Sequence, residues 1–293
     1  MNAVVDLQVE GRDWSPTMRL SKHHGLRNDF LVVLDEGNDA PVHVSGSLAR
    51  RLCDRRAGIG ADGLIHGARP AEGADADVVM HLYNADGGRA EMSGNGIRCL
   101  AQAVARARGR ADGTVTVDSD TGRRELQLRA GGSDDELVVA VDLGEVGPGP
   151  GVATTDLGVA AKEVATADLG NPHLVAWLDD AVDLAGVDLA VVGPAIEAGY
   201  PAGMNVELIQ VVGPDRLDLR VWERGAGITE ACGTGACAAA HLAHQWGLVG
   251  DSVQVRMPGG TVTVELVDGR AILHGPTVHI ADIEVDEEVI ARG

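Results

Sequence analysis

Two stretches decide the fold: "EMSGNGIR" (Glu91–Arg98) and "EACGTGAC" (Glu230–Cys237), which begin 139 residues apart. Each reads Glu-x-(Ser/Cys)-Gly-(Asn/Thr)-Gly and opens an apolar, Ala-rich run, so each predicts a helix entered through a Gly-x-Gly turn. The first run puts Ile97, Leu100, Ala101 and Val104 on one face and stops at Gly109; the second continues to Gly247. A glycine just past the last helical residue is a common stop, because it accepts a left-handed backbone. The duplication extends outward. At the same offset Tyr83-Asn84 matches Trp222-Glu223, and upstream "NDFLVVL" (Asn28–Leu34) resembles "NPHLVAWL" (Asn171–Leu178) at an offset of 143. Matches in the same order at nearly the same offset predict two pseudo-symmetric lobes, each with a central helix.

Around these helices the chain reads mainly as strands. Alternation or short Val/Ile/Leu runs occur at 29–35, 78–83, 115–118, 136–143, 173–178, 204–212, 217–222, 253–257, 261–267 and 278–285. Further helices are expected over 45–55 and 189–198. Many strands with few helices indicate an α+β fold of mixed and antiparallel strands, not the regular βαβ alternation of a doubly wound sheet. The Gly/Pro stretch "EVGPGPGV" (Glu145–Val152) breaks both periodicities and is the linker candidate. The expected division is a first lobe over 1–146, onto which the tail 279–293 packs back, and a second lobe over 147–278.

With 293 residues and 45% apolar content, the chain can bury a full core. Its net charge of −20 argues against binding nucleic acid, and 2% aromatics leave few stacking platforms. No run approaches the roughly 18 apolar residues of a spanning helix. The acidic start, "MNAVVDLQVEGRD", does not read as a signal peptide. Four cysteines (Cys53, Cys99, Cys232, Cys237) are too few for a disulfide framework, so a cytoplasmic protein with reduced thiols is expected. Cys53, Cys99 and Cys237 read as small buried helix residues. No metal is expected: Cys232 and Cys237 lack a second ligand pair, and His23-His24 reads as a solvated loop pair. "GIGADG" (Gly58–Gly63) spells a dinucleotide motif but follows a helix and precedes a strand, the wrong order for one.

A Gly-x-Gly turn at a helix start lets backbone N–H groups approach a ligand, and the helix dipole favours an anion there. A cysteine just before the turn feels the same field, which predicts a lowered pKa and a thiolate at Cys232. Two facing lobes would bring Cys232 and Ser93 to opposite sides of one ligand while both helix ends grip a carboxylate. That geometry suits removing a proton from one face of an α-carbon and returning it on the other, so stereoinversion of an amino acid follows as a reaction class. The only lysines, Lys22 and Lys162, lie in no evident motif. A pyridoxal enzyme needs a Schiff-base lysine, so no cofactor is expected.

The ordered motifs "SKHHGLRNDF", "RRAGIGADG", "NADGGRAEMSGNGIRC", "GNPH", "GMNVE" and "WERGAGITEACGTGAC" resemble those of the diaminopimelate epimerase family. That family comprises two-base enzymes that interconvert L,L- and meso-diaminopimelate on the route to lysine and cell wall. The resemblance implies two pseudo-symmetric α+β lobes with the active site in the cleft between them, a small-molecule amino-acid substrate, no membrane partner, and often a homodimer. It places the catalytic pair at Cys232 and Ser93, where the family has a Cys before each turn. It implies that Gly94, Asn95, Gly233 and Thr234 hold the reacting α-carboxylate. Asn84, Asn171, Asn205, Glu223 and Arg224, with Asn28 alongside, would bind the rest of the substrate. A guanidinium binds a carboxylate through two bonds and a Glu carboxylate accepts from an ammonium, so the residue types fit a second zwitterionic end. This chain departs from the family at Arg27, which usually is Gly, and at Gly63, where some members offer an amide. Ser93 leaves three readings open: a working variant base, an introduced Cys→Ser exchange, or a protein with one base. The alternatives are an epimerase of another amino acid such as hydroxyproline, or a binding protein that lost one base.

Overall fold

Residue alternation in one strand shows how the layers form. In the computed structural model, which describes residues 17–90, 93–153 and 156–286, strand β2 spans Asn28–Leu34. Its Phe30, Val32 and Leu34 join a core cluster with Ile97, Leu100 and Val104, whereas Leu31 and Val33 join a second cluster with Leu48 and Leu52. Both faces of the strand are covered by helices, which is why the sequence there is a continuous apolar run and not an alternation.

The first half runs β1 (Thr17–Gly25), β2, α1 (Gly46–Cys53), β3 (Gly63–Ala68), β4 (Val78–Asn84), β5 (Arg89–Ala90), α2 (Gly94–Ala107), β6 (Gly113–Ser119), β7 (Gly122–Ala130) and β8 (Glu136–Glu145). After the short β9 (Gly147–Pro148) the order repeats as β10 (Ala161–Asp168), β11 (Pro172–Leu178), α3 (Leu189–Glu197), β12 (Asn205–Gly213), β13 (Arg216–Glu223), β14 (Gly227–Thr229), α4 (Gly233–Gln245), β15 (Ser252–Met257), β16 (Gly260–Val267) and β17 (Arg270–Asp286). Even the parallel pairs recur, β2 with β3 and β4 with β6 in one half, β11 with β12 and β13 with β15 in the other.

In the first half the pairings β17–β1–β2–β3–β4–β6–β7–β8–β17 close a ring around α2. In the second, β10–β11–β12–β13–β15–β16–β17 wrap α4, and β9, continuing β8, pairs back onto β10. Strands β8 and β17 thus serve both rings. The Gly147–Pro148 part of the Gly/Pro stretch is itself paired, with Ala167–Asp168.

The two central helices end alike. Gly109 (φ 63) and Gly247 (φ 72) take left-handed backbone, and the next N–H groups, of Arg110 and Leu248, reach back to the carbonyls of Ala105 and Ala243 at 2.8 and 3.0 Å. Both are Schellman stops. Cys53, Cys99 and Cys237 are buried on α1, α2 and α4 as expected. Besides the short β5, β9 and β14, strands β1, β7 and β10 lie outside the expected elements. Each fully buries only one or two apolar side chains, Met18 and Leu20 in β1, Leu126 and Leu128 in β7 and Ala167 in β10, too short a signal for alternation. The strand expected at 278–285 begins at Arg270, because Gly275 and Pro276 mask its first half.

One histidine corrects the sequence reading. His23 lies in β1, fully buried, with Nδ1 2.8 Å from Gln102 Oε1 and Nε2 2.8 Å from Ser21 Oγ. It is therefore not part of a solvated loop. No helix among the described residues is long and apolar enough to cross a membrane. Glu91 and Met92 of the first motif, the chain start 1–16 and the tail residues 287–293 lie outside the described residues.

Candidate active site

Ser93 and Cys232 are the N-caps of α2 and α4, with the same extended backbone (φ −132 and −129). Ser93 Oγ accepts from the Gly96 N–H at 3.1 Å, and Cys232 Sγ accepts from the Gly235 N–H at 3.4 Å, with Thr234 Oγ1 3.6 Å away. The two helix starts abut: a Cβ added to Gly94 would lie 4.0 Å from Gly233 Cα, and one added to Gly233 would lie 3.9 Å from Gly94 Cα. The two helix starts are therefore within van der Waals range of each other, and two positive dipole ends converge on one point.

They converge at the floor of a cleft of about 1140 Å³. Ser93, Gly94, Asn95, Asn28 and Asn84 line it from the first half, and Asn171, Glu223, Arg224, Cys232, Gly233 and Thr234 from the second. The asparagines are placed pseudo-symmetrically. Asn95 Nδ2 donates to Asn28 Oδ1 at 3.2 Å, and Asn171 Nδ2 donates to Thr234 Oγ1 at 3.4 Å. Asn28 Nδ2 in turn donates to Asp62 at 2.8 Å. The Thr229 hydroxyl donates to Glu223. Arg224 extends along the lip, with Nη1 donating to the Ala202 carbonyl at 3.1 Å.

Asn205 does not line the cleft. It is 4% exposed, donates to the Pro172 carbonyl at 2.9 Å and accepts from the Arg224 backbone N–H at 3.0 Å. It stands beneath the site and fixes the strand end that carries Arg224. Its register equivalent in the first half is Gly63, since each faces the inward residue of the preceding strand, His173 and Phe30. A Cβ at Gly63 would come within 2.8 Å of the Tyr83 carbonyl and 3.2 Å of the Phe30 ring, so an amide has no room there. Lys22 is tied to Asp29 and Gly60, and Lys162 to Asp180 and the Trp177 ring.

The thiolate expected at Cys232 is overturned. Burial, then the carboxylates of Glu223 and Glu207, push this thiol well above its ordinary range. The Gly235 N–H and the Thr234 hydroxyl offset only part of this. Desolvation of a charge in the cleft floor outweighs the helix-end field. Burial raises Glu223 as well.

Three buried groups near the site have no counterpart in the sequence-level set. Arg98 is completely buried; it donates to the Gly94 carbonyl at 2.9 Å and to Asn95 Oδ1 at 2.6 Å. Its contact with Asn95 turns that side chain so that its amide faces Asn28. Burial lowers the guanidinium to about 10, so it is still charged at neutral pH. In the second half His173 Nδ1 lies 2.7 Å from Glu207 Oε1, both fully buried, and a Cβ at Gly235 would fall 2.5 Å from that oxygen. A cation of the serine helix thus folds back onto that helix's start, and a carboxylate underlies the cysteine helix. The signal for Arg98 was available as a charge among the apolar residues of a central helix; His173 and Glu207 give none, because only the β11–β12 pairing joins them.

Solved structures share this fold. A phenazine biosynthesis protein from Bacillus anthracis superimposes with a TM-score of 0.66 at 14% identity, covering 92% of this chain and 99% of that one. A hydroxyproline epimerase from Agrobacterium vitis superimposes with a TM-score of 0.64 at 18% identity, covering 93% of each chain. The shared feature is a fold of paired helix-centred rings, and the class, an isomerase of the epimerase type, comes from the family match. Sequence comparison narrows it. The diaminopimelate epimerase family model matches residues 20–147 and 165–280, one segment per half. Diaminopimelate epimerases of Synechococcus elongatus and Rhodospirillum centenum are 37% and 39% identical over 281 and 285 residues, covering 90% and 93% of this chain and 96% and 94% of theirs. The chain belongs to the diaminopimelate epimerase family, and its reaction is the interconversion of L,L- and meso-diaminopimelate.

Proposed function

We propose that Ser93 and Cys232 are the two proton-transfer groups, one on each face of the substrate α-carbon. The observation that carries this is their position as matching caps on two abutting helix starts. The α-carboxylate is held at that junction by Gly94, Asn95, Gly233 and Thr234. One base takes the α-proton, the free N–H groups and both dipoles stabilise the negative charge that develops, and the other group delivers a proton to the opposite face. The net result is inversion with no change in composition. Asn84, Asn171, Glu223 and Arg224, with Asn28, bind the remaining groups, and Asn205 acts by fixing Arg224. Glu223 is one of the carboxylates that keep the Cys232 thiol protonated. An ammonium bound at Glu223 neutralises that carboxylate, so substrate itself shifts Cys232 toward thiolate.

We read the lobes as 1–146 with the tail 279–293, and 147–278, in a cytoplasmic protein that forms a homodimer. The reading of the pair is tested by α-proton exchange into D₂O from each pure isomer. Exchange and inversion are expected in the native protein. Cys232→Ala is expected to lose both by about 10²–10⁴-fold while still binding substrate. Ser93→Cys is expected to speed the transfer that serine performs. Near-normal turnover in Cys232→Ala sinks the assignment.

A further inference from the structure

The β1–β2 hairpin is closed by two residues, Leu26 (φ 55) and Arg27 (φ 68), between the paired Gly25 and Asn28. A loop of this form needs left-handed backbone at both positions, and glycine or asparagine normally supplies it. At the repeat offset of 143 the second half has Gly170, also at positive φ (91). Arg27 therefore keeps a long side chain where the backbone favours none. Strain of this kind persists only where surrounding structure over-determines it.

The surroundings of this turn lie in the other half. Arg27 Nη1 is 3.3 Å from Glu230 Oε2, in the loop between β14 and α4, two residues before Cys232. Leu26 is 4% exposed, in the core cluster that also holds Met257. A Cβ at Gly259 would lie 2.2 Å from the Leu26 carbonyl oxygen, and one at Gly260 would lie 2.7 Å from Leu26 Cδ2. The hairpin tip is thus pressed into the β15–β16 turn. That turn also holds Glu230, whose carbonyl accepts from the Gly259 N–H at 2.8 Å. Leu26, Gly259, Glu230 and Arg27 form a closed circuit across the cleft, anchored by an apolar side chain and completed by an ion pair.

We propose that Arg27 is a positioning residue for the epimerisation: by gripping Glu230 it fixes the loop that delivers Cys232 against the half that carries Ser93. This rests on the reading of Cys232 and Ser93 as the proton-transfer pair. Arg27 and Glu230 side chains are 67% and 53% exposed, so the pair adds little to global stability. Its effect falls on the distance between two groups that must meet one carbon from opposite sides, where small misplacements are costly.

The test is a charge-swap series: Arg27→Gly, Arg27→Glu, Glu230→Arg and the double variant Arg27→Glu/Glu230→Arg, with kcat and KM measured separately for diaminopimelate at low and high salt. Arg27→Gly is expected to keep or raise the melting temperature, because the turn relaxes. It should lower kcat by about tenfold with KM within about twofold. The double variant should recover most of the kcat lost in Arg27→Glu, and high salt should lower kcat in the native protein but not in Arg27→Gly. An unchanged kcat in Arg27→Gly overturns the proposal. So does a rise in KM alone, the signature of substrate contact, and so does a double variant no faster than its slower parent. If Cys232→Ala remains active, the underlying reading of the base pair fails instead, whatever the Arg27 series shows.

Discussion

Oxygen and sulfur occupy the same cap in this molecule, and the difference sets their protonation. Serine is among the best N-caps, and Ser93 makes that bond at 3.1 Å; Cys232 makes the longer sulfur version at 3.4 Å. Neither is an anion at rest, Ser93 because a hydroxyl is a far weaker acid than a thiol, Cys232 because burial and two carboxylates hold its proton on. A raised thiol pKa means that thiolate appears only as pH climbs past the usual range. Alkylation of Cys232 by iodoacetamide, followed by mass spectrometry, is therefore expected to be slower than that of a free thiol at pH 8 and still rising above pH 9. A saturating analogue that places an ammonium at Glu223 while leaving the thiol accessible is expected to shift the profile to lower pH. A rate already flat below pH 8 in the free protein would contradict the structure. The sequence identified the residue and its helix end. It could not supply Glu207, which the β11–β12 pairing brings beneath the helix.

The helices and their punctuation were the most legible elements. Gly-x-Gly starts and Gly109 and Gly247 stops are local signals, each complete within a few residues, and the backbone obeys them. The two Gly-x-Gly turns nevertheless differ in tolerance. A Cβ at Gly96 meets the Ser93 Cβ at 3.2 Å and flexible Ile65 and Met80 tips at 3.3 and 3.4 Å, whereas one at Gly235 meets the fixed Glu207 carboxylate at 2.5 Å. Gly235→Ala is expected to destabilise by about 1–3 kcal/mol and Gly96→Ala by clearly less. Chemical denaturation of both variants checks the order, and equal effects would mean that the His173–Glu207 pair can move. Strands were legible where both faces are buried, as in β2 and β11, or where apolar residues alternate along the whole strand, as in β15, and illegible in β7, where only Leu126 and Leu128 are buried.

Across the whole molecule, closing each sheet around a helix leaves few unpaired strand edges. The shared strands β8 and β17 bind the halves into one framework. His23, sealed between β1, α2 and β17, reports on the first ring. Burial depresses it from 6.5 to about 4, so the folded protein holds it neutral while an unfolded chain protonates it near 6.5. Stability it supports is intact above that value and is lost as pH falls toward 4, by up to about 3 kcal/mol. Urea unfolding at pH 7.5 and 4.5 is expected to show a smaller acid loss in His23→Gln than in the native protein. An identical loss in both would place the acid sensitivity elsewhere, among the carboxylates of this acidic chain.

By itself the sequence determined the duplication, the helix boundaries, the doubly covered strands and the chemistry of the two caps. Each of these is written in short-range periodicity, in glycines that a backbone requires, or in one segment matching another. The tertiary structure alone decided which charges meet. It folded buried Arg98 back onto the start of its own helix, placed Glu207 beneath the other, and set Asn205 below the cleft instead of in it. It reversed the expected ionisation of Cys232 and carried Arg27 across to Glu230. The physical reason is range. Hydrophobic patterning and turn chemistry act between residues near in sequence, whereas desolvation and Coulomb interaction act between residues near in space, and in a pair of closed rings those neighbours come from distant strands.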